Sequence, residues 1–82
     1  MMLNVYSVFD KVAGEAVSSL ALLTAPSDEL IIRTLKTAKL GDIVEENLAD
    51  FDLYQIGVFD SQKPGIVGLE NAKFIAHLEA IK

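Results

Sequence analysis

Residues 51–60 read FDLYQIGVFD, and this stretch decides the fold more than any other part of the chain. Aromatic and β-branched residues recur at every second position, which is the period of a β-strand. The odd-numbered residues of 51–59 are predicted to lie on one face, and the even-numbered residues of 52–58 on the other. The stretch therefore predicts a strand with two faces, one of them turned toward a core.

The end of this strand repeats a phrase from the start of the chain, because Val8-Phe9-Asp10 returns as Val58-Phe59-Asp60. Residues 3–9 alternate in the same way and predict a first strand. Each aspartate is followed by a glycine-containing turn, where Asp commonly bonds to the next backbone amides. We interpret the two aspartates as turn formers and the two phenylalanines as inward-facing. A shared cation site is the alternative, although further oxygen ligands are not evident nearby.

The rest of the chain predicts two more strands, two helices and short connections. Residues 17–24 suit a second strand. Ser27 is a candidate N-cap for an amphipathic helix that runs to about Leu40 and stops at Gly41. A short helical turn follows, then the strand described above and a short fourth strand at 66–69. Residues 71–81 predict a second amphipathic helix, whose apolar face is formed by Phe74, Ile75, Leu78 and Ile81.

These elements predict a single α+β domain over residues 1–82, with helices on one face of an antiparallel sheet in the order ββα-ββα. The chain has 82 residues, which is enough for one domain. It is 51% hydrophobic, a high fraction for so small a domain, and this predicts a homo-oligomer in which partners cover apolar surface. It has no cysteine, which excludes disulfides and favours the cytoplasm.

The chemistry of the side chains indicates a binding protein and not an enzyme. His77 is the only histidine and belongs to no nucleophile–base motif, and the glycines form no phosphate-binding fingerprint. We expect no catalytic residue, no cofactor, no metal site and no membrane segment. The net charge of −5 argues against a protein that binds nucleic-acid phosphates over its whole surface.

Two groups of residues are candidates for contacts with partners. Arg33, Lys36 and Lys39 are spaced three apart and concentrate positive charge on the first helix, where they form a candidate nucleic-acid contact or simply a solvated face. The candidate interface residues are Tyr6, Tyr54, Phe74 and Leu78. The two tyrosines could stack on bases, but aromatic residues on a strand are more often packed in a core or an interface.

Three stretches in order resemble a known family. They are Tyr6-Ser7-Val8-Phe9-Asp10, then Ala25-Pro26-Ser27-Asp28 leading into Ile32-Arg33, and then the stretch from Asp50 to Asp60. Together they resemble the small non-structural protein of gokushovirus-type microviruses (Microviridae), which are bacteriophages with circular single-stranded DNA. The resemblance covers roughly residues 4–65. The segment from Asn71 onward departs from it, because it is more apolar than the polar tails of that family.

The resemblance implies a non-enzymatic phage protein made in the cytoplasm of the infected bacterium and acting in viral single-stranded DNA synthesis or packaging. Arg33 matches the helix arginine of the family. The implied partners are single-stranded DNA or a viral or host replication protein. A protein-interaction or scaffolding module without nucleic-acid contact remains the alternative, and the acidic charge favours it.

Overall fold

The computed structural model describes residues 1–82. Its strands are β1 (Met2–Asp10), β2 (Glu15–Ala16), β3 (Leu23–Ala25), β4 (Phe51–Asp60) and β5 (Val67–His77). Its helices are α1 (Asp28–Thr37), α2 (Asp42–Glu45) and α3 (Leu78–Ile81), with 3₁₀ turns at Ser18–Leu20 and Leu48–Asp50.

All strands belong to one antiparallel sheet in the order β2-β1-β4-β5, and β3 pairs with the same edge of β1 as β2 does. The β1–β4 pair forms its centre and runs from Met2 opposite Asp60 to Asp10 opposite Phe51. The two Val-Phe-Asp phrases therefore end neighbouring strands at opposite ends of the sheet.

A core between one face of this sheet and the helices holds the fold together. The buried apolar side chains are Tyr6 and Val8 of β1, Phe51 and Leu53 of β4, Ala25, Ile31 and Leu35, Leu40 and Val44, and Leu78 and Ile81. α1 turns its apolar stripe to this core and begins where the Ser27 hydroxyl accepts a hydrogen bond from the Leu30 amide. The predicted α+β class, with helices on one face of an antiparallel sheet, is confirmed.

A β-bulge changes the predicted faces of β4. Tyr6 pairs with Gln55 while Val5 pairs with Gly57, so Ile56 is an extra residue and the alternation shifts by one position beyond it. The odd-numbered residues after Ile56 therefore leave the face on which Phe51 lies, and Val58 takes that face instead. The expectation that Phe9 faces inward is also wrong, because Phe9 lies opposite Asp52 on the face away from the helices.

The second predicted strand is broken into pieces. Residues 17–24 contain a 3₁₀ turn, and only Glu15–Ala16 and Leu23–Ala25 pair with β1. α1 ends at Thr37, three residues earlier than predicted. Gly41 is the N-cap residue just before α2 and has a φ of 95°, a conformation that favours glycine.

The predicted helix over 71–81 is wrong, since residues 67–77 form β5 and only Leu78–Ile81 are helical. The apolar spacing fits one face of a helix, but in the folded chain these apolar residues lie on two different sides of the sheet. Phe74 lies opposite Tyr54 on the face away from the helices, whereas Leu78 and Ile81 enter the core. Pairing with β5 satisfies the backbone groups along the second edge of β4, which a helix would leave without partners.

None of the helices has the length and hydropathy that crossing a membrane requires.

Candidate functional site

The sheet face away from the helices, here called the open face, carries a row of aromatic side chains. The ring centroids of Phe9 and Tyr54 are 6.3 Å apart, and those of Tyr54 and Phe74 are 5.8 Å apart, both in edge-to-face geometry. A recess of about 240 Å³ lies beside them and is lined by Ser7, Phe9, Tyr54, Ile56 and Ala72. The Phe74 side chain is 46% exposed, so an aromatic surface faces solvent here.

A buried carboxylate ends this row. The Asp52 side chain is only 7% exposed, and its Oδ1 lies 2.7 Å from His77 Nδ1 and 3.5 Å from Lys11 Nζ. The His77 ring also packs on Phe74, with centroids 4.9 Å apart. No hydroxyl group is bonded to His77, so the arrangement is a hydrogen bond from His77 and an ion pair from Lys11 to the Asp52 carboxylate, and not a nucleophile–base pair.

The structure divides the four candidate interface residues into two pairs. Tyr54 and Phe74 both lie on the open face. Tyr6 and Leu78 are 0% exposed and lie in the core of the single chain, so neither side chain is accessible to a base or a partner.

Tyr6 instead links β1 to the first turn of α1. Its hydroxyl donates to Asp28 Oδ1 at 2.6 Å and accepts from Asn4 Nδ2 at 3.0 Å. Burial, together with the hydrogen bond to the Asp28 carboxylate, raises the pKa of Tyr6 to about 12. This residue therefore has a structural role.

The candidate basic residues lie on the opposite side of the molecule from the aromatic row. Arg33, Lys36 and Lys39 are all exposed on or just after α1, which packs on the helix-covered face of the sheet, and none forms an ion pair. Lys82 also lies at the end of α1, where its Nζ donates to the Ala38 carbonyl at 2.7 Å and pairs with Glu45 at 3.1 Å. The basic residues and the aromatic row therefore cannot form one continuous nucleic-acid site.

Asp10 and Asp60 form turns, as their residue type predicts. Asp10 Oδ1 accepts from the amides of Val12 and Ala13, and Asp60 Oδ1 accepts from the amide of Gln62. The two carboxylates lie at opposite ends of the β1–β4 pair and cannot bind one cation. No group of three or more His, Asp or Glu side chains is placed to hold a metal ion.

A second recess lies between the β1–β2 turn region and α2, and sequence reasoning missed it. It has a volume of about 350 Å³ and is lined by Asp10, Ala13, residues 15–19, residues 40–44 and Phe51. Its walls come from segments more than 20 residues apart in the sequence, so no local pattern predicts it. We call it the α2 groove.

Comparison with protein-family models gives a match over residues 3–81 to the family described as Phage ORF5 protein. Neither the curated proteins nor the solved structures gave a match.

Proposed function

The chain belongs to the Phage ORF5 protein family, and on that premise we propose that it is a non-enzymatic accessory protein of a single-stranded DNA phage of the microvirus type, which self-associates and acts in viral DNA synthesis or packaging. It works in the cytoplasm of the infected bacterium. Its partners are a second copy of itself and single-stranded DNA or a replication protein of the virus or host.

The open face carries the self-association part of this proposal. An aromatic row with a half-exposed phenylalanine resembles the apolar centre of a protein interface more than an ordinary solvated sheet face. Self-association through this face would cover the exposed Phe74 ring.

Self-association through the open face is tested with Phe74→Ser. We expect the wild-type chain to scatter light as a dimer at high micromolar concentration and the variant to scatter as a monomer, because the most exposed ring of the aromatic row is lost. Val12→Ser is the matched control, since Val12 is 78% exposed in the turn after β1. It should leave the mass unchanged. Circular dichroism checks that both variants fold.

A wild-type chain that stays monomeric at high concentration contradicts self-association. If Phe74→Ser and Val12→Ser lower the mass equally, self-association does not take place through the open face.

The contact with DNA is assigned to Arg33, Lys36 and Lys39, because these exposed cations have no acidic partner in the chain. Single-stranded DNA bound there would contact the outer side of α1 and leave the open face free. Affinity would come from phosphate contacts and would fall steeply with salt.

This contact is tested with Arg33→Ala/Lys36→Ala and a single-stranded oligonucleotide. Two lost phosphate contacts should reduce the slope of log affinity against log salt by about 1.4. Lys63→Ala/Lys73→Ala removes the same charge elsewhere on the surface and should keep the slope. No binding by the wild type at low salt, or equal effects of the two double variants, would contradict the DNA contact.

The second candidate function is a protein-interaction module without nucleic-acid contact. The observation that favours it is the net charge of −5, which repels phosphates over most of the surface. If the wild type does not bind single-stranded DNA but does scatter light as a dimer, the protein-interaction function is supported.

A further inference from the structure

The α2 groove has an apolar floor and an acidic rim. The apolar lining comes from Val17, Leu40, Val44 and Phe51, and the recess has a volume of about 350 Å³. Asp10, Glu15 and Asp42 supply the charges among the lining residues, and none of these is basic. The groove therefore combines an apolar recess with a single sign of charge.

The carboxylates of the rim are not compensated within the chain. Asp10 accepts hydrogen bonds from two turn amides, while Glu15 and Asp42 form neither an ion pair nor a side-chain hydrogen bond. The three carboxylates are also not clustered closely enough to share a metal ion. Their charge is therefore available to cationic groups spread along the groove.

Ile43 extends the apolar surface out of the groove. It lines the recess, and its side chain is 75% exposed, the second-highest value among the large apolar residues of the chain. α2 is a single turn that places Val44 in the core and Ile43 outside, so Ile43 contributes little to the packing of its own chain. An exposed isoleucine at the rim of an apolar recess is typical of a contact surface.

From this combination we infer that the α2 groove is a docking site for a basic, apolar-anchored segment of another protein. An apolar side chain of that segment enters the recess against Val44 and Phe51, and flanking Lys or Arg side chains meet Glu15 and Asp42. The carboxylate rim disfavours nucleic acid and anionic lipid, whose phosphates it would repel. The lining of the groove includes no residue of the aromatic row and none of the three candidate basic residues, although Lys39 directly precedes Leu40 in the chain. The inference therefore does not rest on the proposed function.

The probe is the synthetic peptide acetyl-KLKLKLK-amide, with acetyl-ELELELE-amide and acetyl-KSKSKSK-amide as controls for charge and for the apolar anchor. Binding is followed by amide chemical-shift changes in NMR. We expect the Lys–Leu peptide to shift the amides of Val17, Ile43 and Val44, and the two controls to bind at least about tenfold more weakly. Shifts confined to other surfaces, or no binding at low salt, would overturn the inference.

Matched charge reversals separate docking in the groove from general attraction to an acidic protein. Glu15→Lys/Asp42→Lys changes a strand residue and a residue in the first turn of a helix within the groove. Glu70→Lys/Glu29→Lys makes the same changes in β5 and α1, with the same effect on net charge. The first pair should raise Kd for the peptide at least about tenfold and the second less than about twofold. Equal effects of the two pairs would show attraction without a site.

The apolar contact is tested on the surface, where loss of folding is not expected. Ile43→Ser should raise Kd severalfold, whereas Val67→Ser, at a residue that is 70% exposed in β5, should leave it unchanged. An unchanged Kd for Ile43→Ser would contradict the apolar part of the inference.

Discussion

The hydroxyl of Tyr6 joins two parts of the chain that are 22 residues apart, since it donates to Asp28 at the start of α1. The ring fills the core while the hydroxyl reaches a carboxylate that the helix dipole also favours. A buried hydroxyl requires such a partner. The position therefore holds the helix against the sheet by packing and by one charge-assisted hydrogen bond.

Tyr6→Phe keeps the packing of the ring and removes the hydrogen bonds. We expect the free energy of unfolding at neutral pH to fall by about 1–2 kcal/mol, because Asn4 and Asp28 are partly exposed and recover water. Urea denaturation followed by circular dichroism measures the change. A variant as stable as the wild type would show that the Tyr6–Asp28 bond contributes nothing.

The same pair of proteins should also differ in their response to alkaline pH. Tyr6 ionises near pH 10 in the unfolded chain and at about 12 in the folded one, so between these values the folded state binds more protons. The contribution of protonated Tyr6 to the free energy of unfolding is complete below pH 10. It falls as pH rises toward 12, by at most about 2–3 kcal/mol. The wild type should lose this amount relative to Tyr6→Phe across that window. Parallel curves would contradict the assigned pKa.

Hydrogen bonds between residues close in the sequence could be predicted, and those between different elements could not. Asp10, Asp60 and Ser27 bond to amides two or three residues away, so residue type and neighbours are enough to predict them. The partners of Tyr6 and Asp52 come from other elements, 22 and 25 residues away. Their pairing depends on strand register and helix position, which the local sequence does not specify.

The β4–β5 hairpin contains a glycine that the packing of the strands requires. A Cβ at Gly57 would lie 2.7 Å from the carbonyl oxygen of Val67 and 3.1 Å from a side-chain carbon of Ile66. The first contact is with backbone and cannot be relieved by a rotamer change. At Gly68, on the facing strand, the nearest atom would be 3.9 Å away.

Gly57→Ala should therefore destabilise the protein by about 1–3 kcal/mol through overpacking. Gly68→Ala is the control and should be neutral or slightly stabilising, because it restricts the unfolded chain without a clash. Thermal unfolding of both variants measures the difference. Equal midpoints would contradict the close approach of the two strands.

At the scale of elements, the strands with regular alternation were predictable and β5 was not. β1 and β4 carry the period of a strand because their two faces differ in environment. β5 places Phe74 on the open face and continues directly into α3, whose Leu78 and Ile81 enter the core, so its apolar spacing mimics a helix. The bulge at Ile56 likewise has no signal in the local pattern, since it adjusts β4 to its two neighbours.

At the scale of the whole molecule, one sheet divides the surface into regions of different chemistry. The open face is aromatic, the outer side of α1 is basic, and the α2 groove is acidic around an apolar floor. The apolar periodicity predicted the class of fold, and the composition gives the net charge of −5, but the positions of these regions follow from the topology. The Cα radius of gyration is 12.4 Å, slightly above the roughly 11.7 Å of an average chain of this length, which fits the long β4–β5 hairpin.

The two edges of the sheet differ in how well they can pair with a strand of another chain. On the β1 side, the short strands β2 and β3 occupy the edge and are interrupted by a 3₁₀ turn, so a further chain finds little continuous backbone there. β5, with 11 residues, is the long strand at the other side. Backbone pairing between copies would therefore use β5 against β5. A pair joined in this way would leave no long free edge, so strand addition at this edge alone would end at two chains.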